Sequence, residues 1–196
     1  MFNKFVDQVS KYGKLNDKEL IYLKKHSKVR FFIKNEIILR EGNYPRNIYF
    51  IIDGCARLFY HVNGKDKTAF FYNEGSFIWP CTSLKHSVPT QKNFETIENT
   101  VLIQINKNII QKLINSSTNF EMIVRNAKER ELIESQQLIE KFITLSPKER
   151  FLNLMETNNS LFQRVPQQHI ASFLGISPES LSRIKNRVYA TVKNNL

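Results

Sequence analysis

Residues 167–186 carry the pattern that most restricts what this chain can fold into. Ala171 and Gly175 stand five and nine residues into this stretch, and apolar side chains recur around them at Ile170, Leu174, Ile176, Leu181 and Ile184. A small alanine lets two helices cross closely, and a glycine supplies the positive φ that ends the first helix in a tight turn. The spacing therefore predicts a helix-turn-helix, with Ser177 capping the second helix and Pro178 in its first turn.

The second helix of this pair would present a polar face. We expect base contacts from Glu179, Ser180 and Arg183, because arginine binds guanine bidentately and glutamate accepts from cytosine. Phosphate contacts are expected from six further residues: Gln167, Gln168, Ser177, Ser182, Lys185 and Arg187. The alternative is an ordinary helix pair with a solvated face. The match at all the constrained positions favours binding in the major groove of double-stranded DNA.

The charge of the chain is compatible with a nucleic-acid partner but does not identify one. There are 29 Lys and Arg residues against 18 Asp and Glu, a formal net charge of +11. Residues 1–116 hold 18 basic and 10 acidic side chains, residues 117–140 hold 3 and 5, and residues 141–196 hold 8 and 3. Such a balance favours an acidic partner, either nucleic acid or an anionic membrane surface. Most of the excess lies outside the helix-turn-helix.

Residues 1–116 contain mostly short strand patterns. Apolar and β-branched runs recur between turn signals, and Asn63-Gly64 between two such runs is a strong hairpin signal, because both residues tolerate positive φ. Before them, Asn16 and Glu19 have the spacing of a capping box. We expect an α+β chain with three parts: a small N-terminal β-barrel or jelly roll in 1–116, a long connecting helix in 117–143, and a winged helix-turn-helix domain in 144–196.

The connecting helix is expected to join two copies of the chain. A capping-box sequence begins at Thr118, and no Gly or Pro interrupts the run to about Ile143. Its apolar stripe is narrow and shifts near Arg130 and Glu131, as in a helix that packs on its own domain or on a partner copy. We favour a homodimer, because two-fold symmetry suits DNA reading. The contacts would come from Phe120, Ile123, Val124, Ala127, Leu132 and Ile139.

Several stretches of the chain resemble one known family. Residues 36–42, 48–54 and 74–77 are similar to cyclic-nucleotide-binding domains. The stretch from Ser177 to Arg183 resembles a Ser-Arg-Glu-Thr-x-x-Arg motif. With a long helix between these parts, the chain resembles the Crp/Fnr family of bacterial transcription regulators. The resemblance implies base-contacting roles for Glu179 and Arg183, whereas Pro178 stands where the family has its first arginine.

The stretch that would hold a ligand departs from the family's pattern. Cyclic-nucleotide binders carry Phe-Gly-Glu and then Arg-Ser/Thr-Ala, whose Glu and Arg hold the ribose and the cyclic phosphate. This chain has Ile78-Trp79-Pro80 after Phe77, and no arginine in residues 89–92. We therefore expect no cyclic AMP binding, and a degenerate pocket around Trp79, Pro80, Thr82 and Lys92. The effector of such a regulator stays open: it is an unknown small molecule, or there is none. The alternative function is a module that senses a nucleotide or another anion and has no DNA activity.

Other functional classes lack the residues they need. The histidines are isolated in sequence: His26, His61, His86 and His169. Without clustered ligands, a Ser-His-Asp arrangement or a phosphate loop, we expect no enzyme, no metal site and no cofactor. For Cys55 and Cys81, an incidental thiol is favoured over a reactive sensor. No run of 18 apolar residues and no signal peptide is visible, so we expect a cytoplasmic protein without a membrane partner. RNA polymerase is a further candidate partner.

Overall fold

The computed structural model of the protein describes residues 1–193. Two helices, α1 (Phe2–Val9) and α2 (Asp17–His26), come first. The strands that follow are β1 (Ser27–Phe32), β2 (Ile37–Leu39), β3 (Asn47–Asp53), β4 (Ala56–Val62), β5 (Lys65–Tyr72), β6 (Phe77–Ile78), β7 (Asn93–Thr96) and β8 (Thr100–Asn106), with α3 (Cys81–His86) between β6 and β7. The rest is helical: α4 (Lys107–Ser116), α5 (Thr118–Thr144), α6 (Pro147–Asn158), α7 (Leu161–Arg164), α8 (Gln167–Phe173) and α9 (Pro178–Lys193).

The strands form two four-stranded sheets, in the orders β1-β8-β3-β6 and β2-β7-β4-β5. The strand-rich region and the α+β class predicted from the sequence are therefore confirmed. One detail is corrected: across residues 1–193 no ladder joins the two sheets, so they form a jelly-roll-like sandwich and not a closed barrel. Closure needs strand pairing at both edges of a sheet, which local strand patterns do not reveal.

Strand β3, in the middle of the first sheet, is buried on both faces. Ile48, Phe50 and Ile52 alternate along β3 and pack into a core with α1, α2, α4 and the first half of α5. The phenyl ring of Phe5 in α1 meets that of Phe50 edge-on, at 5.0 Å between centroids. Ile51, which lies between Phe50 and Ile52 in β3, is fully buried on the opposite face of the strand. Burial on both faces explains why this strand is a continuous apolar run without alternation.

Turn and cap signals are largely confirmed. Asn63 and Gly64 have φ angles of 51° and 72° and join β4 to β5. Asn16 and Glu19 form the reciprocal capping box of α2. At α5 the cap lies one residue earlier than predicted, because Ser117 and not Thr118 accepts the backbone N–H of Phe120, at 3.2 Å. The Ser117 hydroxyl also donates to the buried Glu19 carboxylate, which ties it to α2.

The chain divides into two compact units. The first unit comprises Met1–Leu58 and Phe71–Glu134, and the second comprises Phe59–Phe70 together with the residues from Ser135 onward. Most of the β4–β5 hairpin is thus grouped with the end of α5 and with α6 to α9. The division into three parts at residues 116 and 143 stays a prediction.

Helix α5 has two unlike halves. It runs for 27 residues, which corresponds to about 40 Å. Four side chains predicted to contact a partner copy lie in the core of the first unit: Phe120, Ile123, Val124 and Ala127. Leu132 and Ile139, in contrast, are 58% and 60% exposed. The predicted role of the first four is corrected accordingly, because an apolar stripe in a sequence does not reveal which surface covers it.

Two features are absent from the described part of the chain. None of its helices combines the length and the apolar character that crossing a bilayer requires. Among the same residues, His, Cys, Asp and Glu side chains do not gather in groups of three or more that could hold a metal ion.

Candidate nucleic-acid interface and sensor segment

The second unit contains the helix pair predicted from residues 167–186. Ile170, Ala171 and Leu181 are fully buried, and Leu174 is 2% exposed. Ile176 and Ile184 are partly buried at the edge of the same contact. The methyl side chain of Ala171 lets α8 and α9 approach closely, as the sequence predicts. Five apolar positions and one small residue therefore hold the two helices together.

The turn between α8 and α9 has the geometry that requires glycine. Gly175 has φ of +70°, its N–H donates to Ser172 O at 3.0 Å, and the N–H of Ile176 donates to Ala171 O at 3.0 Å. This pair of bonds is the Schellman motif, which satisfies carbonyls at the end of a helix. A Cβ atom at Gly175 would lie 2.9 Å from Cε1 of Phe142. Both the backbone and the neighbouring ring thus exclude a side chain here.

Arg150 of α6 anchors this turn from outside. Its Nε and Nη2 atoms donate to Leu174 O at 3.2 and 3.0 Å, and Nη1 donates to Leu145 O at 2.7 Å. The guanidinium also lies over the ring of Phe142, 4.7 Å from its centroid. Arginine can satisfy two carbonyls at once because its donors form a planar fork. The carbonyl that ends α8 is therefore held by a charged group from another helix.

The residues predicted to contact bases lie on the outer side of α9. Glu179 and Arg183 are exposed one turn apart, and Ser180 is partly buried. Ser177 caps the helix, because its Oγ accepts the N–H of Ser180 at 3.2 Å. A hydrogen bond with the Ser177 side chain, followed by one with its own backbone N–H, lowers the pKa of the Glu179 carboxyl. Glu179 is therefore an anionic acceptor at neutral pH.

The residues predicted to contact phosphates lie at the starts of both helices and along α9. Gln167 and Gln168 are exposed in the first turn of α8, where backbone N–H groups lack helical partners. On α9, Ser182 and Arg187 are exposed and Lys185 is partly buried, while Ser177 is exposed at its start. Helix N-termini and cationic side chains are common phosphate ligands.

The β4–β5 hairpin contacts α8 within the second unit. Ser172 Oγ accepts the backbone N–H of Thr68 at 2.9 Å and donates to the carbonyl of Asp66 at 3.3 Å. This contact joins the tip of a sheet hairpin to the first helix of the pair. It leaves Glu179 and Arg183 exposed.

Residues 77–92, called here the sensor segment, contain the predicted ligand pocket. Trp79 is partly buried against α5, where Nζ of Lys128 lies 4.6 Å from the centroid of the indole ring. Together with Phe77, Phe120 and Ile123, Trp79 lines an apolar cavity of about 20 Å³. A space of this size holds about one water molecule. Pro80 is buried at the start of α3, and Thr82 is exposed on that helix.

Lys92 and Cys81 are electrostatically coupled to Glu131 of α5. Burial raises the pKa of Glu131 to about 6, the positive charge of Lys92 opposes the rise, and Glu134 adds to it. Burial is also the main cause of a raised pKa for Cys81, followed by the charge of Glu131. A raised pKa keeps the thiol protonated and weakly nucleophilic. The structure thus brings Trp79 and Lys92 to the same helix, through Lys128 and Glu131.

Sequence reasoning missed three residues of these sites. Lys128 and Arg150 give no local signal, because each resembles an ordinary surface cation until its distant partner is known. Glu131 gave a partial signal in the sequence, since it stands where the apolar stripe of α5 shifts. Long-range packing decides the role of all three.

Comparisons with known proteins agree with this architecture. Residues 29–117 match the family model of the cyclic nucleotide-binding domain. FixK2 from Bradyrhizobium japonicum is 16% identical, with a TM-score of 0.74 over 84% of this chain and 85% of that one. CLP from Xanthomonas campestris, described as a c-di-GMP responsive global regulator, is 17% identical, with a TM-score of 0.71 over 90% and 93%.

A third similar structure, from Eubacterium rectale, is described as belonging to the Crp/Fnr family of transcriptional regulators. It is 16% identical, with a TM-score of 0.71 over 90% of this chain and 85% of that one. No curated protein sequence matches the chain. At these identities the likeness is one of fold, and the fold is the one that the sequence resemblance implied.

Proposed function

We propose that this chain, which has the fold of Crp/Fnr-family regulators and a cyclic nucleotide-binding domain at residues 29–117, is a sequence-specific DNA-binding transcription regulator that acts as a homodimer. The observation that carries the proposal is the outer side of α9, where Glu179 and Arg183 are exposed beyond a tightly packed helix turn. Such a regulator would act in the cytoplasm, with RNA polymerase as a candidate partner.

The chemistry of α9 suits the edges of base pairs. The guanidinium of Arg183 can donate two hydrogen bonds to O6 and N7 of guanine, and the anionic Glu179 can accept from N4 of cytosine. Ser180 can donate or accept next to them. Contacts from Gln167, Lys185 and their neighbours to phosphates would set the register of α9 without reading sequence.

A homodimer would place two copies of α9 about 34 Å apart, one turn of DNA. The exposed second half of α5 supports this arrangement, because Leu132 and Ile139 are apolar, exposed and not needed by the core of the first unit. These two residues are what remains of the predicted dimer stripe.

Ile139→Asp tests the dimer. Placing a charge against its copy across a two-fold axis should weaken self-association by about tenfold or more, as like charges in contact do. Sedimentation equilibrium gives the dissociation constant. The matched control is Gln137→Asp, which adds the same charge at an exposed polar position. Equal dissociation constants for the two variants would exclude Ile139 from the interface.

The sensor is proposed to have lost cyclic AMP binding. The position of Trp79 beneath Lys128 and the absence of arginine from residues 89–92 support this view. The competing function is an anion-sensing module without DNA activity, which the family-model match at residues 29–117 and Lys92 favour. Calorimetry with cyclic AMP, cyclic GMP and c-di-GMP tests whether the sensor binds a nucleotide. Gel-shift titration on selected duplexes then separates the two proposals, since the competing function has no DNA activity.

The DNA-binding role is tested by selecting bound duplexes from a random pool and then titrating Arg183→Ala on the selected site. The expected cost is about 1–3 kcal/mol on that site, with preference relaxed at one base pair per half-site. Arg125→Ala removes another exposed arginine, from α5, and should leave the affinity unchanged. An equal loss of affinity on random DNA would remove Arg183 from base recognition.

A further inference from the structure

Strand β1 carries an exposed apolar stripe that the proposed function does not use. Val29, Phe31 and Ile33, called here the β1 stripe, are 41%, 67% and 70% exposed. Val29 and Phe31 alternate along β1 and so share one face, and Ile33 is exposed one residue beyond Phe32, the last residue of the strand. Single exposed apolar residues are ordinary, whereas a contiguous row is typical of an interaction surface.

Val29 and Phe31 of the β1 stripe lie on a strand with one unpaired edge. β1 pairs with β8 alone and stands last in its sheet, and within residues 1–193 no strand lies on its other side. Val29 and Phe31 stand opposite Ile103 and Val101, which pack toward the helices. Lys28 and Arg30 alternate with them and belong to the other face. An edge of this kind can accept an extended chain through main-chain hydrogen bonds.

Basic side chains lie on β1 and directly before and after it in the sequence. Five of them are exposed: Lys24, Lys25, Lys28, Arg30 and Lys34. No acidic residue occurs between residues 20 and 35. Within residues 1–193 none of the five forms an ion pair. Part of the basic excess of residues 1–116 is therefore concentrated on β1, at Lys28 and Arg30, and on the residues that adjoin it in the sequence.

These charges select among the possible occupants of the edge. A second copy of β1 would oppose lysine and arginine with lysine and arginine, which destabilises strand pairing. DNA would neutralise the cations, but its phosphate backbone offers nothing to three apolar side chains. A strand that alternates acidic and apolar residues satisfies both faces, because its apolar side chains extend the β1 stripe and its acidic ones meet Lys28 and Arg30.

We propose that β1 is a docking edge for an extended acidic segment of another protein, which adds a strand to the first sheet. The segment alternates glutamate or aspartate with apolar residues. Docking of this kind is separate from DNA reading, since β1 lies in the first unit and α9 in the second.

The test measures fluorescence anisotropy of a labelled peptide of alternating glutamate and valine, titrated with the full chain. Binding is expected, and a peptide with alternate backbone amides N-methylated should bind at least about tenfold more weakly, because it cannot pair as a strand. The Lys28→Glu/Arg30→Glu double variant should lose about tenfold or more in affinity through like-charge opposition. The matched control, Lys85→Glu/Lys148→Glu, changes the same charge at exposed sites elsewhere and should keep most of the affinity.

Phe31→Ser tests the apolar half of the proposal. Phe31 is mostly exposed, so thermal unfolding should change little while peptide affinity falls by about tenfold. DNA affinity should stay unchanged, so failure here is distinguishable from failure of the proposed function. Equal binding of the N-methylated peptide, no effect of Phe31→Ser, or no peptide binding at all would overturn the proposal. So would binding only to vesicles of phosphatidylcholine and phosphatidylserine, which would make the surface a membrane-binding one.

Discussion

The helix-turn-helix and the sensor segment differ in how far they keep the pattern of the family that the chain resembles. In the first, the small, glycine and apolar positions all hold the expected residue types and the polar face of α9 is exposed, although Pro178 stands where the family has its first arginine. In the second, Trp79 and Pro80 replace the expected Gly-Glu, and the indole ring of Trp79 packs beneath Lys128 of α5. Under the proposed function, this difference means that the helix proposed to read DNA keeps its pattern, while the residues that would hold a cyclic nucleotide have changed.

The largest expected effect tests whether the helix-turn-helix depends on its buried contacts. Leu181 is fully buried, so Leu181→Ala should cost about 2–5 kcal/mol of unfolding free energy through lost contacts and a residual cavity. Urea denaturation followed by circular dichroism measures the loss. The control is Leu152→Ala in α6, where the side chain is 39% exposed and the cost should be about 1 kcal/mol or less. Similar losses for both variants would show that α8 and α9 are not held by this core.

An intermediate effect concerns the sensor side of the comparison. The folded protein raises the pKa of Glu131 to about 6 from an ordinary value of 4.5, so between these pH values it binds the proton more tightly than the unfolded chain does. The contribution of Glu131 to stability should therefore be fully present below about pH 4.5 and be lost, by about 1–2 kcal/mol, as the pH rises through 6.

Glu131→Gln should remove this pH dependence, because the amide does not titrate. Glu129→Gln, at an exposed position of the same helix, should retain it. Chemical denaturation at a series of pH values between 4 and about 7 makes the comparison. A slope that persists in Glu131→Gln would assign the titration to another group.

The smallest effect separates phosphate contacts from base contacts on α9. Lys185→Ala should weaken binding similarly on selected and random duplexes, and should reduce the slope of log K against log salt by about 0.9. Lys148→Ala, an exposed lysine on α6, is the control and should leave the slope unchanged. Gel-shift titrations at several salt concentrations give both slopes. A loss confined to the selected duplex would instead make Lys185 a base-reading residue.

The same two regions show which features can be predicted from a sequence. The helix-turn-helix is predictable because its constraints lie within one short stretch: Gly175 needs its positive φ for a bond pattern that Ser172 and Ile176 complete locally. The hairpin at Asn63 and Gly64 is predictable for the same reason. Each signal depends on backbone geometry over a few residues.

The contacts that sequence reasoning missed join distant parts of the chain. The stacking of Lys128 on Trp79 and the bonds from Arg150 to Leu174 exist only after the helices have packed. The separation of the two sheets and the burial of Phe120 are also long-range outcomes. Apolar periodicity predicted an apolar stripe along α5. Which half of that stripe is buried in the core of the first unit and which is exposed depends on the elements packed against each half.

One titration tests the central claim most directly: that the chain still reads DNA but no longer needs cyclic AMP. The full chain is titrated onto the selected duplex and onto a random duplex, with and without cyclic AMP, at one stated salt concentration. The account predicts affinity for the selected duplex at least about a thousandfold above that for the random one, unchanged by the nucleotide. Equal affinity for the two duplexes, or a preference that emerges only when cyclic AMP is added, would contradict it.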